Sequence, residues 1–352
     1  MIKIGFTGDI ALSGIISGFN EEKIKDHLSL GGIVDGTAFV INLEAPVAAA
    51  GIKSSKKTGV RLHCSGEALT SFLKTNSIAA VTLANNHALD YGTEGLSETI
   101  EILDSFKIPH TGAGIKTVHT EPACFELNGI SYALLGYVHS ETNPFHDENL
   151  YLNIYHKEGM LSEIAKAKLH ADRVVLSVHW GRDYSSYPRE WQMQDAQEFI
   201  EKGADIIIGH HPHVIQPYEQ YKGKYIFYSL GSTVFGDFYM RGRLRALPVK
   251  TKRSFIPVFA DLQADPSIKG VRELMGNKLT SVPQNIERWS EKMMRKSRRI
   301  AKSKSQIFLV EMKERYADRV FDVLFGYYRN PVKDIFSPEA IRNGLKIMRK
   351  KN

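Results

Sequence analysis

The sequence predicts an α/β fold whose sheets are covered by helices on their faces. Three observations carry this. Short, almost wholly apolar runs of strand length recur through about residue 240, amphipathic helical stretches separate several of them, and most of the early runs end in a carboxylate, an amide or an imidazole. Strands that are apolar on both sides and alternate with helices belong in buried sheets.

In chain order the strand-like runs are "IKIGFTG", "AFVIN", "IAAVTLA", "YALLGYV", "RVVLSVH", "ADIIIGH" and "KYIFYSL". Helical patterns fall at "GTEGLSETIEILDSF" (92–106) and "PREWQMQDAQEFIEKG" (188–203), with Gly92 and Gly203 as their end signals. After "YSLGSTVFGDF" the texture changes. "MRGRLRALPVKTKRSF" reads as a basic loop, "FIPVFADLQA" and "QIFLVEM" as strands, and "NIERWSEKMMRKSRRIAKSKS" as a very basic helix or tail. "KERYADRVFDVLFGYY" and "SPEAIRNGLKIMRK" read as closing helices. A soft boundary near residue 240 divides a first domain, 1–240, from a basic C-terminal region, 241–352, that partly completes the fold.

A chain of 352 residues holds one large core, or one core and a smaller unit. Its 43% hydrophobic and 24% charged residues are those of a soluble globular protein. Cys64 and Cys124 form no CxxC pair, which argues against a disulfide framework and a cysteine zinc site. No run approaches the roughly 18–20 apolar residues of a membrane span. The opening "MIKIGFTGDIALSG" reads as a strand rather than a leader, so the expectation is a cytoplasmic protein, at most peripheral to the inner face of the membrane. Residues 1–240 carry 19 Lys/Arg against 28 Asp/Glu (−9), and residues 241–352 carry 27 against 11 (+16), which together give the net +7. An acidic body therefore continues into a basic C-terminal third.

The strand ends carry the chemistry. The first run ends at Asp9, the second at Glu44, the third in "LANNH" with Asn85, Asn86 and His87, a later one at His179, and the next in "GHHPH" with His210, His211 and His213. Ligands of open α/β sheets bind beyond the carboxyl ends of strands. Mixed imidazole and oxygen donors suit one or two divalent ions of the Mn, Fe or Zn type. Singly, each residue has a plainer explanation: Asp9 as a cap, the asparagines as turn formers, His179 as a core histidine. Their joint failure is much harder to arrange.

With "GDI", "NLEAPV", "LANNHALDYG", "VHWG", "GHHPHVIQP" and "YIFYSLGS" in this order, the sequence resembles the CapA-type proteins of capsule and poly-γ-glutamate synthesis, which in turn resemble calcineurin-like metallophosphoesterases. The resemblance covers about residues 1–240. It implies a four-layer α/β/β/α sandwich holding a two-metal site. By motif, Asp9 ligates the first ion, Glu44 bridges, Asn86 and His179 ligate the second, and His211 and His213 divide between the two. His87 is then the general acid and Asp90 its orienting partner. Paired ions can activate a nucleophile and hold phosphate oxygens during in-line attack, while an imidazole protonates the leaving oxygen.

The chain departs from the family's pattern at two places. The usual Asp-x-His reads Asp9-Ile10-Ala11, so the first ion lacks an imidazole and is weakly held, supplied by His210, or missing. Ser232 stands where asparagine is common. Arg182 and Tyr184 in "HWGRDYSSYP", and Arg61 beside His63, are the candidates for a substrate anion. The basic tail reads first as a solvated face, then as a surface for an anionic membrane, an acidic polymer or a synthase partner; nucleic acid ranks last. Two functions follow: a metal-dependent phosphoester hydrolase in capsule, exopolysaccharide or poly-γ-glutamate metabolism, or a non-catalytic metal-binding subunit that binds an acidic polymer or a synthase partner.

Overall fold

The computed structural model describes residues 1–302 except 50, 58, 116–120, 241, 242, 246, 248, 274–278 and 283–285. The elements begin with β1 (Lys3–Ala11), α1 (Glu21–Leu28), β2 (Thr37–Leu43), α2 (Gly66–Thr75), β3 (Ile78–Thr82), α3 (Gly92–Ser105), β4 (His110–Thr111) and β5 (Ala113–Ile115). Next come β6 (Ala123–Leu127), β7 (Ile130–Val138), β8 (Leu150–Leu152), α4 (Lys157–His170), β9 (Arg173–His179), α5 (Glu190–Lys202) and β10 (Ile206–His210). The last are β11 (Tyr218–Tyr221), β12 (Lys224–Phe227), β13 (Ser232–Phe235), β14 (Phe238–Met240), β15 (Arg243–Arg245), β16 (Arg253–Phe259), β17 (Ser267–Glu273), β18 (Leu279–Val282) and α6 (Ile286–Ala301).

All seven apolar runs of the first 240 residues are strands. They build two main sheets, one of order β18-β17-β16-β1-β2-β3-β4 with β13 also paired to β1, the other of order β11-β12-β10-β9-β7-β6. Side chains of a strand alternate between faces, and the cores follow that alternation. Val40 of β2, Val175 of β9, and Ile206 and Ile208 of β10 meet between the two sheets. Phe39 and Ile41 of β2 pack outward with Phe72 of α2 and Leu103 of α3. Val174 and Leu176 of β9 pack outward with Met160 of α4 and Phe199 of α5.

Past residue 240 the main sheet continues, because β16 pairs antiparallel with β1. The stretch read as a basic loop carries β15, which pairs antiparallel with β14 at its start, and the first residues of β16. The very basic stretch is a helix in its first part: α6 buries Ile286, Ser290, Met294 and Ser297, spaced three or four apart. Ser290 Oγ bonds both the amide and the carbonyl of Tyr218 at 2.8 Å, and Arg298 pairs with Glu219, so α6 is fastened to β11. Arg288, Lys292, Arg295, Lys296 and Arg299 remain exposed. Among the described residues no helix is long and apolar enough to cross a membrane. "QIFLVEM" and the two closing helices lie outside the described residues.

Candidate metal centre

The same alternation that sorts the core brings polar groups together at the strand ends. On β2, Asn42 shares parity with Val40 and so faces the opposite sheet; Glu44 follows two residues later, just past the strand. On the second sheet, His179 shares parity with Val175, and His210 with Ile206 and Ile208. Simple alternation would send Asp9 the other way, since Phe6 lies between the sheets. The β1–β2 register shifts between Phe6 and Asp9, and Ile10 then packs on the helix side. This irregularity re-aims Asp9 toward the second sheet. Gly8 permits the tight passage, because a Cβ there would lie 2.1 Å from the Gly231 carbonyl oxygen.

Asp9 is fully buried. Its Oδ1 accepts from Asn42 Nδ2 (2.9 Å) and stands 3.1 Å from His210 Nδ1, while Oδ2 stands 3.1 Å from His213 Nδ1. Glu44 is also fully buried, yet neither carboxylate oxygen has a hydrogen-bond partner. Its Oε1 lies 3.7 Å from both His179 Nε2 and His213 Nε2. His179 Nε2 is 3.0 Å from Asn86 Oδ1. His211 Nδ1 is buried without a partner, and His211 and His213 sit at φ of +94° and +54°. Such strain in non-glycine residues is kept where side chains must be aimed.

Burial alone would raise the Asp9 carboxyl, but His210 and His213 outweigh it and hold it well below the usual range. Burial, reinforced by the charge of Asp9, pushes Glu44 well above that range. His213 is lowered by burial but raised more by Glu44 and Asp9, ending at about 10. Burial pulls His211 down to about 4 and His179 well below the ordinary imidazole value. The pocket thus draws positive charge to its carboxylates and keeps two imidazoles neutral, the form that ligates metal. Among the described residues, two groups have donor atoms within 4.8 Å of one another: Asp9, Glu44 and His213, and Asp183, His211 and His213. Unpartnered Glu44 oxygens beside imidazole nitrogens fit a divalent cation.

Beside this lies a second polar cluster. Asp90, fully buried, accepts from Lys57 Nζ (2.9 Å) and the Leu62 amide (2.8 Å), and its Oδ2 is 2.5 Å from His87 Nδ1. Lys57 Nζ also donates to the Asn86 carbonyl and lies 3.3 Å from His87 Nδ1. Burial lowers the His87 imidazole, opposed by Asp90. Burial would raise Asp90, but His87 and Lys57 hold it below the usual carboxylate range. Asn85 is structural: it bonds Asn42 and the Leu43 carbonyl and accepts from the His87 amide, fixing the turn that carries Asn86 and His87.

A cavity of about 240 Å³ opens onto both clusters, lined among others by Lys57, Asn86, His87, Asp183, His213 and Ser232. The structure therefore brings Asp9, Glu44, Asn86, His179, His211 and His213 to one place, with His87 and Asp90 adjoining. Tyr184 lines the cavity as well, and Ser232 Oγ stands 3.2 Å from His213 Nδ1. The two expected arginines flank lining residues without lining the cavity themselves. Arg61 donates to the carbonyls of Ser55 and Lys57, and neither it nor Arg182 lines the cavity.

The cation that does line it, Lys57, is not singled out by the sequence. In "KSSKK" nothing distinguishes it from solvated neighbours. Asp183 stands unmarked between Arg182 and Tyr184, the two residues of that loop that drew attention as anion binders. Asn42, which bonds Asp9, is hidden inside an apolar run; its even spacing from Glu44 is the signal that marks it.

A largely buried, strand-end cluster of carboxylates, amides and imidazoles between two helix-covered sheets defines a candidate metal-centre protein of α/β class. The chain belongs to the family described as bacterial capsule synthesis protein PGA_cap, which it matches over residues 3–237. It is 32% identical over 255 residues to the PGA biosynthesis protein CapA of Bacillus subtilis (strain 168), covering 70% of this chain and 67% of that protein. It is 33% identical over 220 residues to the capsule biosynthesis protein CapA of Bacillus anthracis, covering 58% of this chain and 52% of that protein. The matches thus span between half and two thirds of these relatives' length. The solved structure of a hypothetical protein from Thermus thermophilus aligns with 80% of this chain and all of its own at 15% identity, with a TM-score of 0.43.

Proposed function

We propose that this protein is a metal-dependent phosphoester hydrolase acting in capsule or poly-γ-glutamate metabolism. The observation that carries the reading is Glu44, a buried carboxylate with both oxygens unpartnered and imidazoles 3.7 Å away. The layering of helices, two sheets and helices supports assignment to the four-layer metallophosphoesterase type, with residues 1–240 as its main unit. Asp9, Glu44, Asn86, His179, His211 and His213 hold the ions, which we take to be two of Mn, Fe or Zn. A divalent ion there supplies Lewis-acid polarisation of a phosphoryl oxygen and a water of lowered pKa.

The remaining work falls to side chains of this chain. Asp90 engages His87 Nδ1, which leaves Nε2 to carry the proton for the departing oxygen. Burial keeps that ring low in pKa, and an anionic ester in the cavity opposes the shift and draws the proton on. Lys57, Tyr184 and Ser232 line the space for the ester. The substrate is an anionic phosphoester of an envelope polymer or its precursor. The exposed cations of α6 support association with an anionic membrane surface or a synthase partner, and with it a cytoplasmic placement near the inner leaflet.

The test is hydrolysis of p-nitrophenyl phosphate and bis-p-nitrophenyl phosphate by protein loaded with Mn²⁺, Fe²⁺ or Zn²⁺. Chelator-sensitive turnover supports the proposal. Stoichiometric metal with no hydrolysis at any loading overturns it in favour of a non-catalytic subunit.

A further inference from the structure

We infer that Asp183 is a ligand of the outer ion, completing a site with His211 and His213 at the mouth of the cavity. The inference rests on the metal-centre reading above and adds a residue to it. Asp183 Oδ1 lies 3.7 Å from His211 Nε2 and 3.9 Å from His213 Nε2. These separations are too long for hydrogen bonds, which run to about 3.2 Å. They are close to the spacing of donors that share an ion. Two ligands each about 2.1 Å from a tetrahedral metal stand about 3.4 Å apart. Glu44 Oε1, 3.7 Å from the same His213 Nε2, repeats the spacing from the buried side.

The plainer explanation, a surface ion pair with one histidine, needs only one imidazole at this distance, and Asp183 Oδ1 has two. The backbone also holds Asp183 in place. Gly181 and Tyr184 sit at φ of +85° and +61°, and the Tyr184 amide donates to the Pro212 carbonyl at 2.8 Å, tying this loop to the one that carries His211 and His213. Chain geometry therefore fixes the three donors relative to one another from two separate loops.

The experiment is a Mn²⁺ titration of wild type, Asp183→Asn and Asp183→Ala, read by the electron paramagnetic resonance of free Mn²⁺ and by calorimetry. Asp183 is half exposed, and melting curves check that both variants fold. Two classes of site are expected in wild type, with one weakened at least about tenfold in both variants and the other unchanged; Asp183→Glu should recover part of the loss. Variants that titrate like wild type overturn the inference while leaving the metal centre standing. A wild type that takes up no Mn²⁺, Fe²⁺ or Zn²⁺ overturns both.

Discussion

Lys57→Met removes a cation and keeps most of the side-chain volume. The Lys57 side chain is 4% exposed, and Asp90, its partner at 2.9 Å, is fully buried. The two ends of the pair respond differently. Burial holds the Lys57 ammonium below its usual value even with Asp90 beside it, whereas the Asp90 carboxyl is stabilised as an anion despite burial. Asp90 is thus well compensated and Lys57 is not, which makes the pair as a whole nearly neutral in worth. Removing one member is another matter, because a charge then stays buried alone. Such losses run to about 3–5 kcal/mol. Asp90 keeps the Leu62 amide and His87, so the lower end, about 3 kcal/mol, is expected for Lys57→Met. At about 2–4 °C per kcal/mol, Tm should fall by about 6–12 °C. The double variant Lys57→Met/Asp90→Asn leaves no isolated charge, so it should be less destabilised than the sum of the single changes by about 1–3 kcal/mol. Urea unfolding of the three variants and wild type, with constant m-values, measures this coupling. Additivity within about 0.5 kcal/mol would refute the reasoning.

His87→Ala should reduce phosphoesterase turnover by about 10²–10⁴ while metal content, read by elemental analysis, stays at the wild-type level; a collapse in metal content would make His87 a ligand. Chelator treatment should lower Tm and re-addition of metal restore it, since an ion at 100 times its Kd stabilises the folded state by about 2.7 kcal/mol; a Tm indifferent to metal would contradict the centre. Ala11→His does not simply supply the missing imidazole. Ala11 is fully buried against Ala45, Leu62 and Phe235, so the larger ring should cost about 1–3 kcal/mol in urea unfolding and leave Mn²⁺ affinity no tighter. A tighter site in this variant would show that the cluster can open for the ring.

The strands and the gathering of polar side chains at their ends were legible because both are written with strong local signals. Apolar runs between helical patterns specify buried sheets, and histidines and carboxylates at their ends have few other uses. Even the facing of Asn42, Glu44, His179 and His210 follows from counting by twos along β2, β9 and β10. Asp9 breaks that count. The register shift before it lies where β1 also passes close to the start of β13 at Gly8 and Gly231, which are distant in sequence. Lys57 was hidden for a related reason. A loop lysine has no periodicity, and its burial is decided by where Asp90 and the Asn86 carbonyl come to lie. Arg61 shows the converse: a guanidinium near a site in sequence is occupied in holding the loop that delivers Lys57.

The strongest argument that the cluster is more than a buried polar network comes from how this chain treats its other buried acids. Asp205 accepts from Lys168 Nζ, Lys224 Nζ and the Val174 amide at 2.7–2.8 Å. Glu219 accepts from the Tyr228 hydroxyl and Gln197 and pairs with Arg298. Asp90 has Lys57, Leu62 and His87. A network kept for stability satisfies its members, because an unpaired buried carboxylate costs more than the packing it provides. Glu44 departs from that practice. Its Oε1 faces His179 and His213 at distances too long to bond, and burial, with Asp9 adding to it, raises its pKa. Asp205, Glu219 and Asp90 are satisfied, whereas Glu44 at the end of β2, with Asp9 Oδ2 close by, is left without hydrogen-bond partners, and it is on this contrast that the proposed metal centre rests.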